Sequence, residues 1–230
     1  GECLRELADK PALLQPRLAG KHIEQPNAHH CAEVGSWLAR MHLCTQAQPL
    51  ERRSDRGLDW MLSEGPLQAL QLDGEALELL RASLAEVAQA QAAVLALPRA
   101  NLHADLFRDN VLFDGPHLSG VIDFYNACSG PMLYDVAITL NDWCSTASGS
   151  LDLSRARALL AAYASLRPFH PAEAELWPCM LRIACLRFWL SRLIAARQPT
   201  ALGVQVKDPD EFRQRLLQRQ QVHLPLPLAL

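Results

Sequence analysis

The residues best suited to chemistry lie in one run from Asn101 to Gly115, reading NLHADLFRDNVLFDG, followed closely by Val121-Ile122-Asp123-Phe124. The pattern predicts a loop bearing Asp105, a strand beginning after Asn110, a turn at Asp114-Gly115 and a returning strand that delivers Asp123. A hairpin of this length brings its ends together, so Asn110 and Asp123 face one site. An amide oxygen and a carboxylate converging there suit Mg2+, which takes hard oxygen ligands and keeps phosphate oxygens and water in the rest of its shell. Asp105, upstream of Asn110 on the same loop, is placed to accept or orient a hydroxyl proton. Phosphoryl transfer needs this division of labour, because it depends on positioning and charge neutralisation more than on covalent help from the protein.

The spacing His103-x-Asp105-x-x-x-x-Asn110, then a short hairpin and Ile122-Asp123-Phe124, resembles the catalytic segment of the aminoglycoside phosphotransferase and choline kinase-like family, relatives of the protein kinases. The likeness continues through Ala127, Gly130, Pro131, Tyr134, Asp135 and Ala137. The run from Asp123 to Ala137, with Asn141-Asp142-Trp143-Cys144 after it, is similar to the kinase-like homoserine kinases of the threonine pathway. The resemblance implies an α+β, protein-kinase-like fold: a mostly helical large lobe with a catalytic β-hairpin, plus a remnant of the small-lobe sheet. It implies transfer of the ATP γ-phosphoryl group, with Mg2+, to the hydroxyl of L-homoserine. On that reading Asp105 orients the hydroxyl and takes its proton, Asn110 and Asp123 hold the metal, and His103 supports the loop. Arg108 leans toward the phosphates or pairs with Asp109 or Asp105. Asp142 and Arg187 meet the substrate's ammonium and carboxylate, the planar guanidinium being suited to a bidentate carboxylate contact. By the same likeness Gln15, Pro16, Arg17 and Leu18 form the hinge that lines the nucleotide base, a plain strand end and turn being the alternative.

Other substrates and a different class of role stay open at this point. The same lobe would serve choline or an aminoglycoside, although a polycationic antibiotic calls for more acids than follow Asp123. A non-catalytic remnant that binds a partner, or nothing, is the other possibility.

Composition narrows the setting. Half of the 230 residues are hydrophobic, enough for a sizeable core. A net charge of -3 and a pI of about 6.2 argue against a nucleic-acid or anionic-membrane surface. The seven cysteines are odd in number and form no C-x-x-C pair, which points to reduced, mostly buried thiols in a cytoplasmic protein. No apolar run is long enough to span a bilayer.

The elements that must position the site follow from periodicity and turn chemistry. Glu2 to Leu7 and Ala12 to Leu18 read as a hairpin about a turn at residues 8–11. Asn27 caps a helix running to about Cys44, with Cys31, Val34, Leu38 and Met41 on one face and Trp37 as core. His29, His30 and His42 lack metal-ligand spacing and read as surface or packing residues. Leu58 to Leu70 is ambiguous because Gly65-Pro66 interrupts it. A long helix starts at Asp73 and stops before Pro98. Further helices are expected over Leu133 to Cys144, Leu153 to Ala164, Met180 to Arg197 and Asp210 to Gln221, the prolines at 168, 171 and 178 punctuating the approach to the third. Asp135, near a helix start, reads as a cap or dipole partner before a catalytic group. In domain terms, residues 1–20 form the small-lobe remnant and hinge, 21–222 the large lobe, and 223–230 an unstructured tail. None of the three lysines sits in a strand of the V-A-x-K kind and no Gly-rich phosphate loop is present. Beside the family, the chain therefore reads as an N-terminally shortened kinase whose turnover is impaired.

Overall fold

The computed structural model describes residues 4–197 and 207–228. The expected strand residues Glu2 and Cys3 and the last two residues of the expected tail lie outside that range. The architecture is α+β, with three two-stranded antiparallel ribbons and seven α-helices among the described residues.

The first ribbon pairs β1 (Leu4–Leu7) with β2 (Lys10–Leu13). Its turn is two residues long, with Ala8 at φ 52° and Asp9 at φ 59°, because positive φ at both positions matches the twist of a tight hairpin. The expected four-residue turn is thereby corrected: Lys10 and Pro11 belong to β2, which ends at Leu13 and not Leu18. Pro11 sits in an edge strand, where its missing N–H costs no ladder bond.

Helix α1 (Ala28–Thr45) starts where the sequence places it. Asn27 Oδ1 accepts from His30 N at 3.0 Å, and His30 Nδ1 accepts from Asn27 N at 3.2 Å. His30 thus completes a reciprocal cap in the position usually held by Glu or Gln. Helix α2 (Leu58–Ala69) runs unbroken through Gly65-Pro66. Pro66 falls in its last turn and gives up one i→i−4 bond, and Gly65 gives room to Leu84 of α3 (Gly74–Leu95), whose methyl carbon lies 2.4 Å from where a Cβ would stand.

Beyond α3 the chain forms β3 (Arg99–Leu102), then β4 (Val111–Asp114) and β5 (His117–Val121), then β6 (Cys128–Pro131). The β4–β5 ribbon is the hairpin expected from the sequence, with Gly115 at φ 59° in its turn and an irregularity between Leu112 and Phe113. The β3–β6 ribbon, pairing Leu102 with Cys128 and Arg99 with Pro131, has no counterpart in the sequence reading. It clamps the two ends of the catalytic segment, since β3 leads into His103 and β6 follows the turn after Asp123.

The core is centred on α4 (Met132–Trp143), in which every residue is buried. Around it pack α5 (Leu153–Leu166), α6 (Pro171–Ala195) and α7 (Pro209–Arg219). Helix α6 begins nine residues before the expected Met180, because Pro171 occupies the first helical position, where no N–H is needed, and His170 and Glu173 cap it reciprocally. The tail expected to be unstructured has no regular structure over its described part, yet Leu224 and Leu226 are buried. Helix α7 is moored by Arg219, 1% exposed, which donates to Asn141 Oδ1 (2.7 Å), Gly149 O (2.8 Å) and Ser145 Oγ (2.6 Å).

Helices α1 and α5 touch backbone to backbone at Gly35, where a Cβ would stand 2.3 Å from Leu159 O. Gly35→Ala is therefore expected to push these helices apart and lower stability by about 1–3 kcal/mol, as overpacking of a close-packed core does. Thermal unfolding checks this, and an unchanged Tm would contradict it.

Candidate active site

The loop between β3 and β4 is held in a strained conformation by one buried carboxylate. Ala104 has φ 60°, a left-handed value costly for a residue with a Cβ. Asp135, fully buried in the first turn of α4, accepts from Ala104 N through Oδ1 and from His103 N through Oδ2, each at 2.8 Å. Its Oδ2 also meets His42 Nε2 at 3.2 Å, while His42 Nδ1 meets the Tyr163 hydroxyl at 2.8 Å. Burial works against charge on Asp135, but the His42 hydrogen bond and the nearby His103 ring and N–H outweigh it and hold the carboxyl below its usual range. Asp135 is thus neither a helix cap nor a reacting group; it fixes the loop. His42, expected at the surface or as simple packing, is part of that fixture.

His103 is also buried, its Nε2 donating to Ile122 O at 2.9 Å and its ring lying against Phe124 at 4.8 Å between centroids. It ties the loop to the residue just before Asp123. Trp143 Nε1 donates to Leu106 O at 3.0 Å, and Phe107 packs on Phe188 at 4.6 Å, so the loop is anchored to α4 and α6 as well.

Between these anchors stand the polar groups. The Asp105 carboxylate is about one-quarter exposed (24%), with Oδ2 accepting from Asn126 Nδ2 at 3.2 Å and Oδ1 lying 3.9 Å from Arg187 Nη1. Burial raises its pKa, and the neighbouring Arg187 and His103 only partly offset that rise. Asn110 donates through Nδ2 to Asp105 O at 2.8 Å and accepts at its backbone O from Ile122 N at 3.0 Å. Its Oδ1 accepts no hydrogen bond among the described residues. Asp123 is exposed, sits at φ 65° and ψ 59°, and likewise accepts none among them. No cluster of three His, Cys, Asp or Glu side chains suited to a metal occurs among the described residues. Two free hard oxygens fit a cation that takes its remaining ligands from phosphate and water.

Other expected residues lie elsewhere or are engaged. Arg108 pairs with neither Asp109 nor Asp105. Its backbone N and its Nε donate to Asp142 Oδ2 at 2.9 and 3.1 Å, and Nη1 donates to Glu24 O at 3.0 Å. Asp142 is buried, with Arg215 Nη1 3.7 Å from its Oδ1, so its carboxylate is taken up by protein cations and not left for a substrate ammonium. Asp109 pairs with Lys207 Nζ at 3.0 Å. Arg187 is 3% exposed and stacks over the Phe188 ring at 3.8 Å, and burial draws its pKa below the ordinary arginine value. Gln15, Pro16, Arg17 and Leu18 line a cavity of about 480 Å³ together with Leu112 of β4 and Ile122, the residue after β5. Sequence reasoning missed Asn126, and it named Asp135 and His42 without seeing that together they fix the loop. Asn126 alone carried a local signal, as an amide close behind Asp123.

A model of the phosphotransferase enzyme family matches residues 1–169. The chain is 66% identical over 230 residues to a homoserine kinase of Pseudomonas aeruginosa strain UCBPP-PA14, spanning 73% of that protein's length. It is 44% identical over 217 residues to a homoserine kinase of Methylobacillus flagellatus, spanning 67% of it. Among solved structures, an aminoglycoside phosphotransferase from Alicyclobacillus acidocaldarius superposes with a TM-score of 0.64 at 17% identity, covering 95% of this chain and 71% of that one. An ethanolamine kinase from Plasmodium vivax gives 0.62 at 13% identity, covering 94% and 66%. At such identities these two likenesses speak for the fold alone.

Proposed function

The chain belongs to the phosphotransferase enzyme family and, within it, to the homoserine kinases; from this premise we propose that Asp105, Asn110 and Asp123 are the residues through which it passes the γ-phosphoryl group of ATP to the side-chain hydroxyl of L-homoserine, a step of threonine biosynthesis. The observation carrying the assignment is the bonding around Asn110: one side chain grips the Asp105 carbonyl while its backbone pairs with Ile122, so base and metal ligands share one small frame. Asn110 and Asp123 would hold Mg2+, which would supply charge neutralisation on the phosphates.

The protein's own part is positional. Asp105 Oδ1 accepts the hydrogen bond of the acceptor hydroxyl, and as the oxygen bonds to phosphorus the O–H bond breaks toward this carboxylate while the bond to the ADP oxygen opens. Its raised pKa brings it closer to the proton it must receive. Asn126 and Arg187 flank its two oxygens, and His103 and Asp135 keep its loop from relaxing. Asn110 Oδ1 and the Asp123 carboxylate offer the metal ligands. The cavity at Gln15–Leu18 suits the nucleotide base, and its Ile122 wall leads directly to Asp123. No helix among the described residues is long and apolar enough to cross a membrane, and we assign the enzyme to the cytoplasm, where its thiols stay reduced.

ATP consumption by the full-length protein, measured in parallel with L-homoserine, choline and an aminoglycoside, tests the reading. Turnover is expected with L-homoserine and is expected to stop when divalent cations are chelated. A preference for choline or the aminoglycoside, or no turnover with any of them, would refute it.

A further inference from the structure

Arg187 is a buried cation beside Asp105 whose bonding capacity is largely unspent among the described residues. A guanidinium carries five N–H donors, and none of those of Arg187 makes a hydrogen bond among the described residues. Its nearest acidic oxygen, Asp105 Oδ1, is 3.9 Å away, beyond hydrogen-bonding distance. One face of the guanidinium is covered by the Phe188 ring at 3.8 Å, which leaves its edge as the route to a partner. A buried cation without a full partner is costly, and the cost is recovered when a ligand brings an anion.

The position of that edge indicates which anion. The two oxygens of Asp105 face different neighbours: Oδ2 meets Asn126, on the turn that follows Asp123, while Oδ1 meets Arg187, on α6. The metal ligands bracket the β4–β5 ribbon, Asn110 just before β4 and Asp123 just beyond β5, and Leu112 of that ribbon also lines the base cavity. The donor nucleotide therefore occupies the ribbon side, and the acceptor enters between Asp105 and α6.

Resting on the homoserine kinase reading, we infer that Arg187 is the carboxylate anchor of the acceptor: it pairs with the α-carboxylate of a hydroxy amino acid and thereby sets the enzyme's choice of an amino acid over an amino alcohol. Fork-to-fork pairing fixes the acceptor's orientation as well as its affinity, so the hydroxyl is turned toward Asp105 Oδ1. An acceptor lacking the carboxylate leaves Arg187 buried and unpaired, which penalises it strongly.

The test compares L-homoserine with 3-aminopropan-1-ol, the same skeleton without the carboxylate, on the full-length protein and its Arg187→Met and Arg187→Lys variants. The unsubstituted enzyme is expected to favour L-homoserine by about 100-fold or more in kcat/KM. Arg187→Met should remove that preference, chiefly by raising KM for L-homoserine, with a far larger loss of kcat/KM for L-homoserine than for 3-aminopropan-1-ol; Arg187→Lys should recover part of the loss. Equal losses on both acceptors would overturn the inference, because Arg187 would then be serving Asp105 or the phosphates. An unchanged KM for L-homoserine would overturn it too. If Arg187→Met does not fold, inhibition of the unsubstituted enzyme decides: L-2-aminobutyrate, which keeps the carboxylate and lacks the hydroxyl, should bind at least about 100-fold more tightly than propylamine, and equal inhibition would refute the anchor. An unsubstituted enzyme that turns over no homoserine refutes the underlying reading, and the anchor with it; active enzyme with an indifferent Arg187→Met variant refutes the anchor alone.

Discussion

Asp105→Asn is expected to lower kcat for homoserine phosphorylation by roughly 100- to 10,000-fold, the range supplied by a positioned general base, with KM for ATP little changed. The amide keeps the shape and the contact with Asn126 but cannot take the proton. The same substitution should leave Tm equal or higher, because burial makes the ionised carboxylate unfavourable where it stands. A raised folded-state pKa means that Asp105 detracts from stability once the pH exceeds that value, and that the penalty disappears as pH falls below the ordinary carboxylate range. The acid limb of kcat/KM should accordingly lie above the usual aspartate pKa, about 3.9. Steady-state kinetics and thermal melts on one pair of proteins check both halves. A variant with near-normal kcat, or one that is inactive only because it has melted, would contradict the role.

The opposite pattern is expected at Asp135. Asp135→Asn places an NH2 group against one of the two backbone N–H donors that the carboxylate now satisfies, and it weakens the bond to His42. Breaking a buried, charge-assisted arrangement of this kind costs about 3–5 kcal/mol. At roughly 2–4 °C per kcal/mol for a chain of this length, Tm should drop on the order of 6–20 °C. Ala104 would be freed to leave its left-handed conformation, so kcat should fall with stability, Asp105 being displaced from its working position. The carboxyl is held below its usual range, so its contribution is fully present above the unfolded-state value of 3.8 and is lost as pH falls through the lower folded-state value. Melting curves between pH 3 and pH 7 should therefore converge for the two proteins at the acid end. A Tm difference that is absent at neutral pH would show that the loop does not depend on this carboxylate.

The two residues differ in how far they could be read from the chain. Asp105, Asn110 and Asp123 belong to one continuous stretch, where turn chemistry and alternation bring them together without help from distant sequence, and the β4–β5 ribbon formed as the pattern required. Asp135, His42 and Tyr163 come from α4, α1 and α5, and a periodic pattern reports which residues face inward, not which of them meet. The misreading of Asp142 has the same origin: an acid in an apolar helix suggests a ligand until Arg108 and Arg215 are seen beside it. The β3–β6 ribbon was illegible because four-residue strands offer too little alternation to recognise. The early start of α6 was legible in principle, since proline at a first helical position is a known signal, but two further prolines nearby obscured it.

The mooring of α7 through Arg219, with Arg215 beside Asp142, has a consequence for the order in which the molecule is made. A nascent chain leaving the ribosome exposes Asn141, Asp142 and Ser145 some seventy residues before the arginines that neutralise and tether them are translated. Until then Asn141 Oδ1 and Ser145 Oγ lack the Arg219 guanidinium, and Asp142 has Arg108 but not Arg215, so this part of the core stays incompletely tethered. Maturation of the catalytic loop, which Asp142 holds through Arg108, is thereby coupled to the arrival of α7.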